Sequence, residues 1–290
     1  MSTAVNPPHS LDAAYAQCED ILRHEDPDRW LAALFLPADK RRHVHALIAF
    51  SLEIARVQQL VSEPRLGEIR FQWWREAILG ERKSEALANP VAAALIDTLA
   101  RFDLPRDLLY SLIDARLFDL WGEPMPSLAT LEAYAKATAA NLFHLAGLIV
   151  APAAGEALAA AAKPAGIAYA MTGLLRALPW HGAAGQVYMP AELLAAQGLA
   201  AADVAAGRTS PQLLAALAEL RGVVRHQLRL FEERARSVPG AGAAVFLPVQ
   251  LCEAYLRQME RADYDPFHSR IELPQWRRQW ILWRAARRIR

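Results

Sequence analysis

Apolar residues recur along most of this chain at steps of three and four positions. In the segment His43–Val61 the recurring apolar residues are Val44, Leu47, Ile48, Ile54, Val57 and Leu60. Such spacing places side chains on one face of an α-helix, so the segment is predicted to be helical. The same pattern predicts helices over Leu66–Leu79, Val91–Leu99, Asp107–Leu120, Leu128–Ala151, Gly155–Leu178, Ser210–Val238, Ala243–Arg261 and Gln275–Arg290.

Residues that interrupt helices fall between these segments. They include Glu63-Pro64, Asn89-Pro90, Pro239-Gly240 and Leu273-Pro274. No stretch has the convincing alternation of a strand, and the short extended candidate is Gln186–Met189. No repeat and no Gly/Ser-rich linker divides the chain. We therefore expect an all-α fold in which residues 1–290 form a single domain of roughly ten helices.

Composition narrows the class of protein further. Of the 290 residues, 54% are hydrophobic and 22% are charged, which excludes a disordered or collagen-like chain. Cys18 and Cys252 lie far apart, so neither a disulfide scaffold nor a cysteine zinc site is expected. The N-terminal stretch has no leader pattern, and no run reaches the ~18 apolar residues that span a bilayer. A cytoplasmic protein is expected, and the net charge of +1 argues against nucleic acid as a partner.

The small net charge hides an uneven distribution. Residues 276–290 contain six Arg and no acid, so the other 275 residues carry a net charge of −5. Trp276, Trp280 and Trp283 would share one face of the basic, Trp-rich C-terminal helix 275–290. This composition is typical of a peripheral contact with an anionic membrane, to which Arg284 would contribute. In the alternative, the Trp row packs on the protein body and the arginines are solvated.

Candidate catalytic groups are few. His43 and His45 are two positions apart and would point to different sides of a helix, so surface histidines are expected. Asp114 and Asp119 would lie loosely on one side of a helix, either as a metal pair or as acids of the helix surface. Residues 157–191 contain no Asp or Glu, so this stretch supplies no carboxylates for a divalent metal.

Several short stretches, in order along the chain, are similar to one known family. They are Asp28–Trp30 with Leu36-Pro37 and Arg41-Arg42, Ala46–Phe50, Leu112–Asp114 to Asp119-Leu120, Leu131–Tyr134, Gly166–Tyr169 with Thr172 to Arg176, Gly185–Pro190, and Tyr264-Asp265 to Arg270. Together they resemble the squalene/phytoene synthase family of head-to-head prenyl transferases. The resemblance implies the isoprenoid (terpenoid) synthase fold, with helices around a central apolar cavity. For active members it implies two Asp-rich motifs that hold Mg²⁺ against a prenyl diphosphate.

The chain departs from the family pattern at both motifs. By position, the aspartates of the two motifs correspond to Ala55, Arg56 and Gln59, and to Ala177 and His181. None of these residues is acidic. Pro179 is expected to end or kink the second helix at this point, because proline removes a backbone donor. We therefore expect no cofactor: magnesium, which active family members need, is not expected here.

Further stretches point to one branch of the family. They are Glu53–Val57, Val61–Pro64, Gln72–Arg75 and Leu175–Gly182. They resemble a degenerate branch that lacks the aspartates and whose mitochondrial member assists the assembly of respiratory complex I. The resemblance implies a pseudoenzyme, peripheral to the inner membrane, that binds a respiratory-complex subunit or assembly partner. The alternative is a prenyl transferase or prenyl-diphosphate-binding enzyme of isoprenoid metabolism with an altered site, taking a prenyl or other apolar ligand.

Polar residues on the cavity side are the candidate ligand contacts. They are Glu53, Arg56, Gln59, Thr172, Arg176 and His181. One hypothesis is that Arg56, Arg176 and His181 bind an anion in the former diphosphate pocket, because the guanidinium fork suits phosphate. The other is that Arg56 or Arg176 forms a buried ion pair with Glu53 that closes the site.

Overall fold

The computed structural model describes residues 10–289, and every regular element within them is helical. The α-helices are α1 (Leu11–Glu25), α2 (Pro27–Ala33), α3 (Ala38–Leu60), α4 (Pro64–Leu79), α5 (Lys83–Ala88), α6 (Pro90–Phe102), α7 (Asp107–Trp121), α8 (Leu128–Ala135), α9 (Asn141–Val150), α10 (Gly155–Arg176), α11 (Leu178–Ala183), α12 (Ala191–Ala196), α13 (Ala201–Ala205), α14 (Pro211–Ala235), α15 (Gly240–Ala243), α16 (Cys252–Gln258) and α17 (Gln275–Ile289). The beginning of the N-terminal stretch examined for a leader, and Arg290 at the predicted end of the last helix, lie outside the described residues.

Helix starts follow the local chemistry of the sequence. Asn89, Ser127 and Ser210 precede α6, α8 and α14, and each side-chain oxygen accepts a backbone N–H of the first turn at 3.0–3.1 Å. Pro90 and Pro211 open α6 and α14, where the missing N–H would have no partner in the helix. The helices predicted from these segments therefore begin close to the expected residues.

Some elements differ from the prediction. The segment predicted as one helix over Leu128–Ala151 is α8, a π-helical turn (Lys136–Ala140) and α9. The segment Ala243–Arg261 contains a 3-10 helix (Ala244–Leu251) before α16. The periodicity did not predict α1. It also missed five helices of at most seven residues each, which are α2, α5, α11, α12 and α13. Helices of two turns or fewer are too short for an apolar period to be recognised.

The expected interruption at Pro179 is present. Helix α10 ends at Arg176, Ala177 has φ −89° and ψ 3°, and α11 begins at Leu178 with Pro179 in its first turn. A proline cannot donate the backbone hydrogen bond that would continue α10. The chain therefore starts a new short helix at the position of the family's second motif.

Helix α10 packs against α9, α14 and the π-helical turn. Gly166 makes this close approach feasible, because a Cβ there would lie 2.3 Å from backbone atoms of Ala140. The segment Pro152–Arg176 is long and apolar enough to cross a membrane by length and composition alone. However, 61% of its apolar window is buried inside the protein, as is typical of a core helix.

The expectation of surface histidines is wrong. His43 and His45 on α3 are 0% and 1% exposed. His43 Nδ1 lies 2.8 Å from the Tyr15 hydroxyl and 2.9 Å from the Thr98 hydroxyl, so α1 and α6 enclose it. Burial lowers the pKa of both histidines to about 4, and the imidazoles are therefore neutral near pH 7. Both sides of α3 are therefore covered by other parts of the protein at His43 and His45, which the spacing of the two residues did not indicate.

The predicted extended segment Gln186–Met189 has no regular secondary structure and joins no sheet in the described part of the chain. The backbone N–H of Met125 donates to the Val187 carbonyl at 3.2 Å, and the Met125 carbonyl accepts from the N–H of Ala191 at 2.8 Å. These bonds hold Tyr188 beside α7, where its hydroxyl donates to Asp119 at 2.8 Å.

Candidate functional site

A polar cleft lies where α2, α10, α16 and α17 meet, and its volume is about 480 Å³. The polar side chains that line it include Glu25, Asp26, Asp28, Thr172, Arg176, Tyr255 and Arg278. Acids and arginines therefore face one another across a space enclosed by four helices.

Asp28 is the centre of a hydrogen-bond network in the polar cleft. Its Oδ2 accepts from the Tyr255 hydroxyl at 2.5 Å and from Arg176 Nη1 at 3.4 Å. Its Oδ1 accepts from Arg278 Nη1 at 3.0 Å. The Asp28 side chain is only 9% exposed, and the Arg176 guanidinium also lies 3.7 Å from the centre of the Tyr255 ring. One buried carboxylate is thus shared by two guanidiniums and a phenol.

The neutral groups of the polar cleft are protonated donors. Burial, together with the charge of Asp28, raises the pKa of Tyr255, so the phenol keeps its proton. Burial also raises the pKa of the Cys252 thiol to about 12. Because the thiolate is the nucleophilic form of cysteine, Cys252 is not an activated nucleophile. Thr172 donates its hydroxyl to the Ala168 carbonyl at 2.7 Å.

An apolar cavity adjoins the polar cleft, and the two share Tyr169 and Pro248 as wall residues. Its volume is about 40 Å³, which is room for a few water molecules at most. Phe143 fills this region, with its ring centre 5.6 Å from that of Tyr169 and 5.5 Å from that of Phe246. The polar cleft therefore has free volume, whereas the apolar cavity is nearly filled by side chains.

The residues predicted from the sequence as ligand contacts do not all lie in the polar cleft. Thr172 and Arg176 line the polar cleft. Arg56 lies at its edge, because the guanidinium forms an ion pair with Glu25, which is one of the lining residues. Gln59 is exposed near the end of α3.

Glu53 and His181 lie away from the polar cleft. Glu53 lines a separate pocket with Arg70, and burial raises the pKa of its carboxyl group. His181 packs against Tyr188, with the ring centres 4.8 Å apart, and burial lowers its pKa. The wall residues of the polar cleft include Arg176 but not His181, so the structure does not assemble the three cations of the anion-site hypothesis.

The alternative ion pair with Glu53 is wrong for both arginines. Arg56 pairs with Glu25 on α1, and Arg176 pairs with Asp28 on α2. Glu53 lies three positions before Arg56 on α3, whereas the partners of both arginines come from the N-terminal helices α1 and α2. Arg176 and Asp28 are 148 positions apart in the chain.

Asp114 and Asp119 do not form a metal pair. Asp114 is exposed and pairs with an arginine of α4, whereas Asp119 is 3% exposed. Asp119 accepts hydrogen bonds from Tyr134 at 2.9 Å, Tyr188 at 2.8 Å and Arg116 at 2.9 Å. The second acid is thus part of a buried hydrogen-bond cluster, and the first belongs to the surface.

The described residues do not fit a magnesium site. Among residues 10–289 no three His, Cys, Asp or Glu side chains come together as metal ligands. Mg²⁺ prefers carboxylate oxygens and near-octahedral geometry. The carboxylate of Asp28, in the polar cleft, is already engaged by Arg176, Arg278 and Tyr255.

The C-terminal helix α17 has an inner and an outer face. Leu282 on the inner face is 0% exposed, whereas Trp276, Trp280 and Trp283 are 68%, 52% and 49% exposed. The alternative in which the Trp row packs on the protein body is therefore wrong. The Arg284 guanidinium lies 5.3 Å from the centre of the Trp280 ring on the same outer face.

Sequence reasoning missed the acids Glu25 and Asp26 of the polar cleft, and it also missed Asp28, Tyr255 and Arg278 of the central network. Asp28 stands in one of the stretches that resemble the family, which was an available signal. Arg278 lies two positions after Trp276 and therefore on the opposite side of the helix from the Trp row. Nothing in the sequence separates Tyr255 from an ordinary core aromatic residue.

The squalene/phytoene synthase family model matches residues 22–283, so the chain belongs to this family. The crystal structure of squalene synthase HpnC from Alicyclobacillus acidocaldarius has the same fold, with a TM-score of 0.75 and 21% identity over 89% of this chain and 97% of that chain. The predicted family and the isoprenoid synthase fold are confirmed.

Two relatives in sequence come from different branches. NADH dehydrogenase (ubiquinone) complex I, assembly factor 6, from Mus musculus is 28% identical over 262 residues, which cover 90% of this chain and 78% of the relative. Phytoene synthase 2, chloroplastic, from Solanum lycopersicum is 25% identical over 90% of this chain and 86% of the relative. The resemblance to the complex I assembly branch is thereby confirmed.

Proposed function

We propose that this chain is a non-catalytic member of the squalene/phytoene synthase family that acts as an assembly or binding factor linked to respiratory complex I. The observation that carries the proposal is the ion pairing of Arg56 with Glu25 and of Arg176 with Asp28. These arginines stand at and beside the positions where an active family member would hold magnesium. The 28% identity to complex I assembly factor 6 supports the assembly role.

The arginines that pair with the carboxylates of the polar cleft oppose magnesium binding. Two like unit charges about 4 Å apart repel by ~4 kcal/mol at an effective dielectric constant of 20, and Mg²⁺ carries two charges. Removal of the Arg176 side chain would not supply the missing ligands, because Ala177 beside it is not acidic either. We therefore propose that the reaction of the active enzymes, in which Mg²⁺ promotes loss of diphosphate, does not occur in this chain.

The partner and location follow from the same relatives. We propose that the protein binds a subunit or assembly intermediate of complex I on the cytoplasmic face of the inner membrane. A peripheral position is compatible with the burial of Pro152–Arg176, the membrane-length apolar segment found among residues 10–289.

A deletion strain tests the proposal when NADH:quinone reductase activity and isoprenoid lipid content are both measured. We expect reductase activity to fall and lipid content to stay unchanged, and the wild-type gene to restore the activity. A gene carrying the exposed-surface substitution Asp263→Asn serves as a matched control and should restore it equally. Loss of an isoprenoid lipid with normal reductase activity would overturn the proposal.

One observation favours a second candidate, an altered enzyme or binder of prenyl diphosphates. The polar cleft and the apolar cavity share Tyr169 and Pro248, which is an arrangement suited to a charged head and an apolar tail. The apolar cavity, at about 40 Å³, would have to open before a prenyl chain could enter.

Purified protein distinguishes the two candidates. Under our proposal, farnesyl diphosphate with Mg²⁺ yields no diphosphate release. The binding candidate predicts calorimetric binding that Arg176→Ala and Arg56→Ala weaken. Binding that neither substitution changes would remove the polar cleft as the anion site.

A further inference from the structure

The outer face of α17 presents three tryptophans to solvent. Trp276, Trp280 and Trp283 are 68%, 52% and 49% exposed and lie four and three positions apart, in one row along the helix. Single exposed apolar residues are common on protein surfaces, but a contiguous aromatic row marks a contact site. The indole ring, apolar with one N–H donor, is the side chain enriched where an apolar phase meets water.

Arginines accompany the tryptophan row. The Arg284 guanidinium lies 5.3 Å from the Trp280 ring centre, and that of Arg287 lies 4.9 Å from the Trp283 ring centre. No acid occurs in residues 276–290, while the rest of the chain has a net charge of −5. The outer face of α17 is therefore a positive surface on a negative protein, and it would orient the molecule toward a negative partner.

The inner face holds α17 in a fixed orientation. Leu282 is 0% exposed, and Ile281, Ala285 and Ile289 pack against the core. Arg278 extends inward to Asp28 in the polar cleft at 3.0 Å. The helix is thus attached to the protein body by one side, and the tryptophan row is presented outward as part of the folded surface.

A groove of about 380 Å³ between α16 and α17 adds further cations. Arg257, Arg277, Arg284 and Arg288 line it, and Trp280 forms part of the same wall. Arg257 is paired with Glu253 at 2.9 Å, but the groove as a whole has more arginines than acids. Guanidinium forks of this kind match the oxygens of a phosphate group.

We propose that the outer face of α17 docks the protein on a bilayer of anionic phospholipids. Trp276, Trp280 and Trp283 enter the headgroup region, and Arg284 and Arg287 bind lipid phosphates. Charge complementarity selects this occupant: anionic lipid attracts basic residues near its surface, and tryptophan prefers the boundary between headgroups and acyl chains. The inference is independent of the complex I role, since it rests on the surface of α17 alone.

Co-sedimentation with vesicles tests the tryptophan row. The full chain is mixed with phosphatidylglycerol/phosphatidylcholine vesicles or with pure phosphatidylcholine vesicles, and bound protein is measured. We expect binding to the anionic vesicles and a blue shift of tryptophan fluorescence. The triple variant Trp276→Ala, Trp280→Ala, Trp283→Ala should lose both. The matched control is Trp121→Ala with Trp180→Ala, whose side chains are 54% and 61% exposed elsewhere, and it should bind like the wild type.

A charge variant tests the arginines. Arg284→Gln with Arg287→Gln should weaken binding to anionic vesicles by roughly thirtyfold, whereas the control Arg234→Gln with Arg236→Gln should change it little. Salt should release the wild type, because the Debye length falls from about 8 Å at physiological salt to 3 Å at 1 M.

Three results would overturn the proposal. The first is equal vesicle binding by the triple tryptophan variant and its control. The second is equal binding to anionic and neutral vesicles. The third is absence of vesicle binding by the wild type. Loss of reductase activity in a strain carrying the tryptophan variant would then assign the surface to a protein partner. Truncation before α17 is a poorer test, because it would also remove the buried Leu282 and the Arg278–Asp28 ion pair.

Discussion

Substitution of Asp28 by asparagine tests whether the polar cleft is held together by one carboxylate. Asp28 on α2 bonds to side chains of α10, α16 and α17, which are far apart in the sequence. The change keeps the shape of the side chain and removes its charge. We expect the folded state to lose stability because two guanidiniums are then left without a carboxylate in a largely enclosed cleft.

The size of the loss follows from the contacts. Hydrogen bonds to charged groups contribute about 1.5–3 kcal/mol each, and removing one partner of a buried ion pair costs about 3–5 kcal/mol. The Arg176 and Arg278 side chains are 32% and 20% exposed, so water solvates them in part after the change. Asparagine also keeps one oxygen acceptor. We therefore expect Asp28→Asn to lower the free energy of unfolding by about 3 kcal/mol, at the lower end of the range for a buried pair.

Urea unfolding followed by circular dichroism measures this loss. The matched control is Asp263→Asn, which removes an aspartate from an exposed pair with Arg261, where the side chains are 71% and 66% exposed. Exposed pairs contribute at most ~1 kcal/mol, so the control should change stability little. If Asp28→Asn costs no more than Asp263→Asn, with the slope of the unfolding line unchanged, the central role assigned to Asp28 is refuted.

Three further predictions concern the core. Gly166→Ala should cost several kcal/mol of stability in a thermal melt, because the added Cβ would lie 2.3 Å from backbone atoms of Ala140. Gly173→Ala has open space and should stabilise the protein by ~0.5–1 kcal/mol. Equal effects of the two substitutions would contradict this account. Phe143→Ala should cost about 3–5 kcal/mol and open the apolar cavity to xenon or a small apolar dye, and unchanged uptake would refute the cavity assignment. His43 and His45 have pKa values lowered to about 4, so the unfolded chain binds more protons and stability should fall as pH drops from 6.5 toward 4. Urea midpoints at pH 7 and pH 5 measure this fall, and His43→Gln should reduce it.

The helical fold was largely readable from the sequence because its signals are local. Apolar spacing, side-chain caps such as Ser210 and a helix-ending Pro179 all act within a few residues. Helix α1 was missed although its buried residues Ala14, Tyr15, Cys18 and Leu22 follow a helical spacing. The burial of His43 was not predicted, because it depends on α1 and α6, which are distant from it in the sequence.

The site was only partly readable, because its contacts join distant positions. Thr172 and Arg176 were identified through the family resemblance and a shared helix face. The partner of Arg176 is Asp28, 148 positions away, and Arg278 lies 250 positions from the same acid. No spacing rule links such residues, so the acid predicted to pair with the arginines was Glu53, which lies three positions before Arg56 on α3.

The ion pairs of the polar cleft explain how several arginines are accommodated side by side in the fold. The pairs are Arg29 with Asp26, Arg56 with Glu25, and both Arg176 and Arg278 with Asp28. Glu272 also lines the polar cleft, so these four arginines face four acids and no positive charge is in excess. An anionic ligand would have to draw a guanidinium away from Asp28, which leaves that buried carboxylate short of partners. The polar cleft is therefore better suited to fixing α17 on the protein body than to tight binding of a diphosphate, in agreement with the non-catalytic role proposed for the chain.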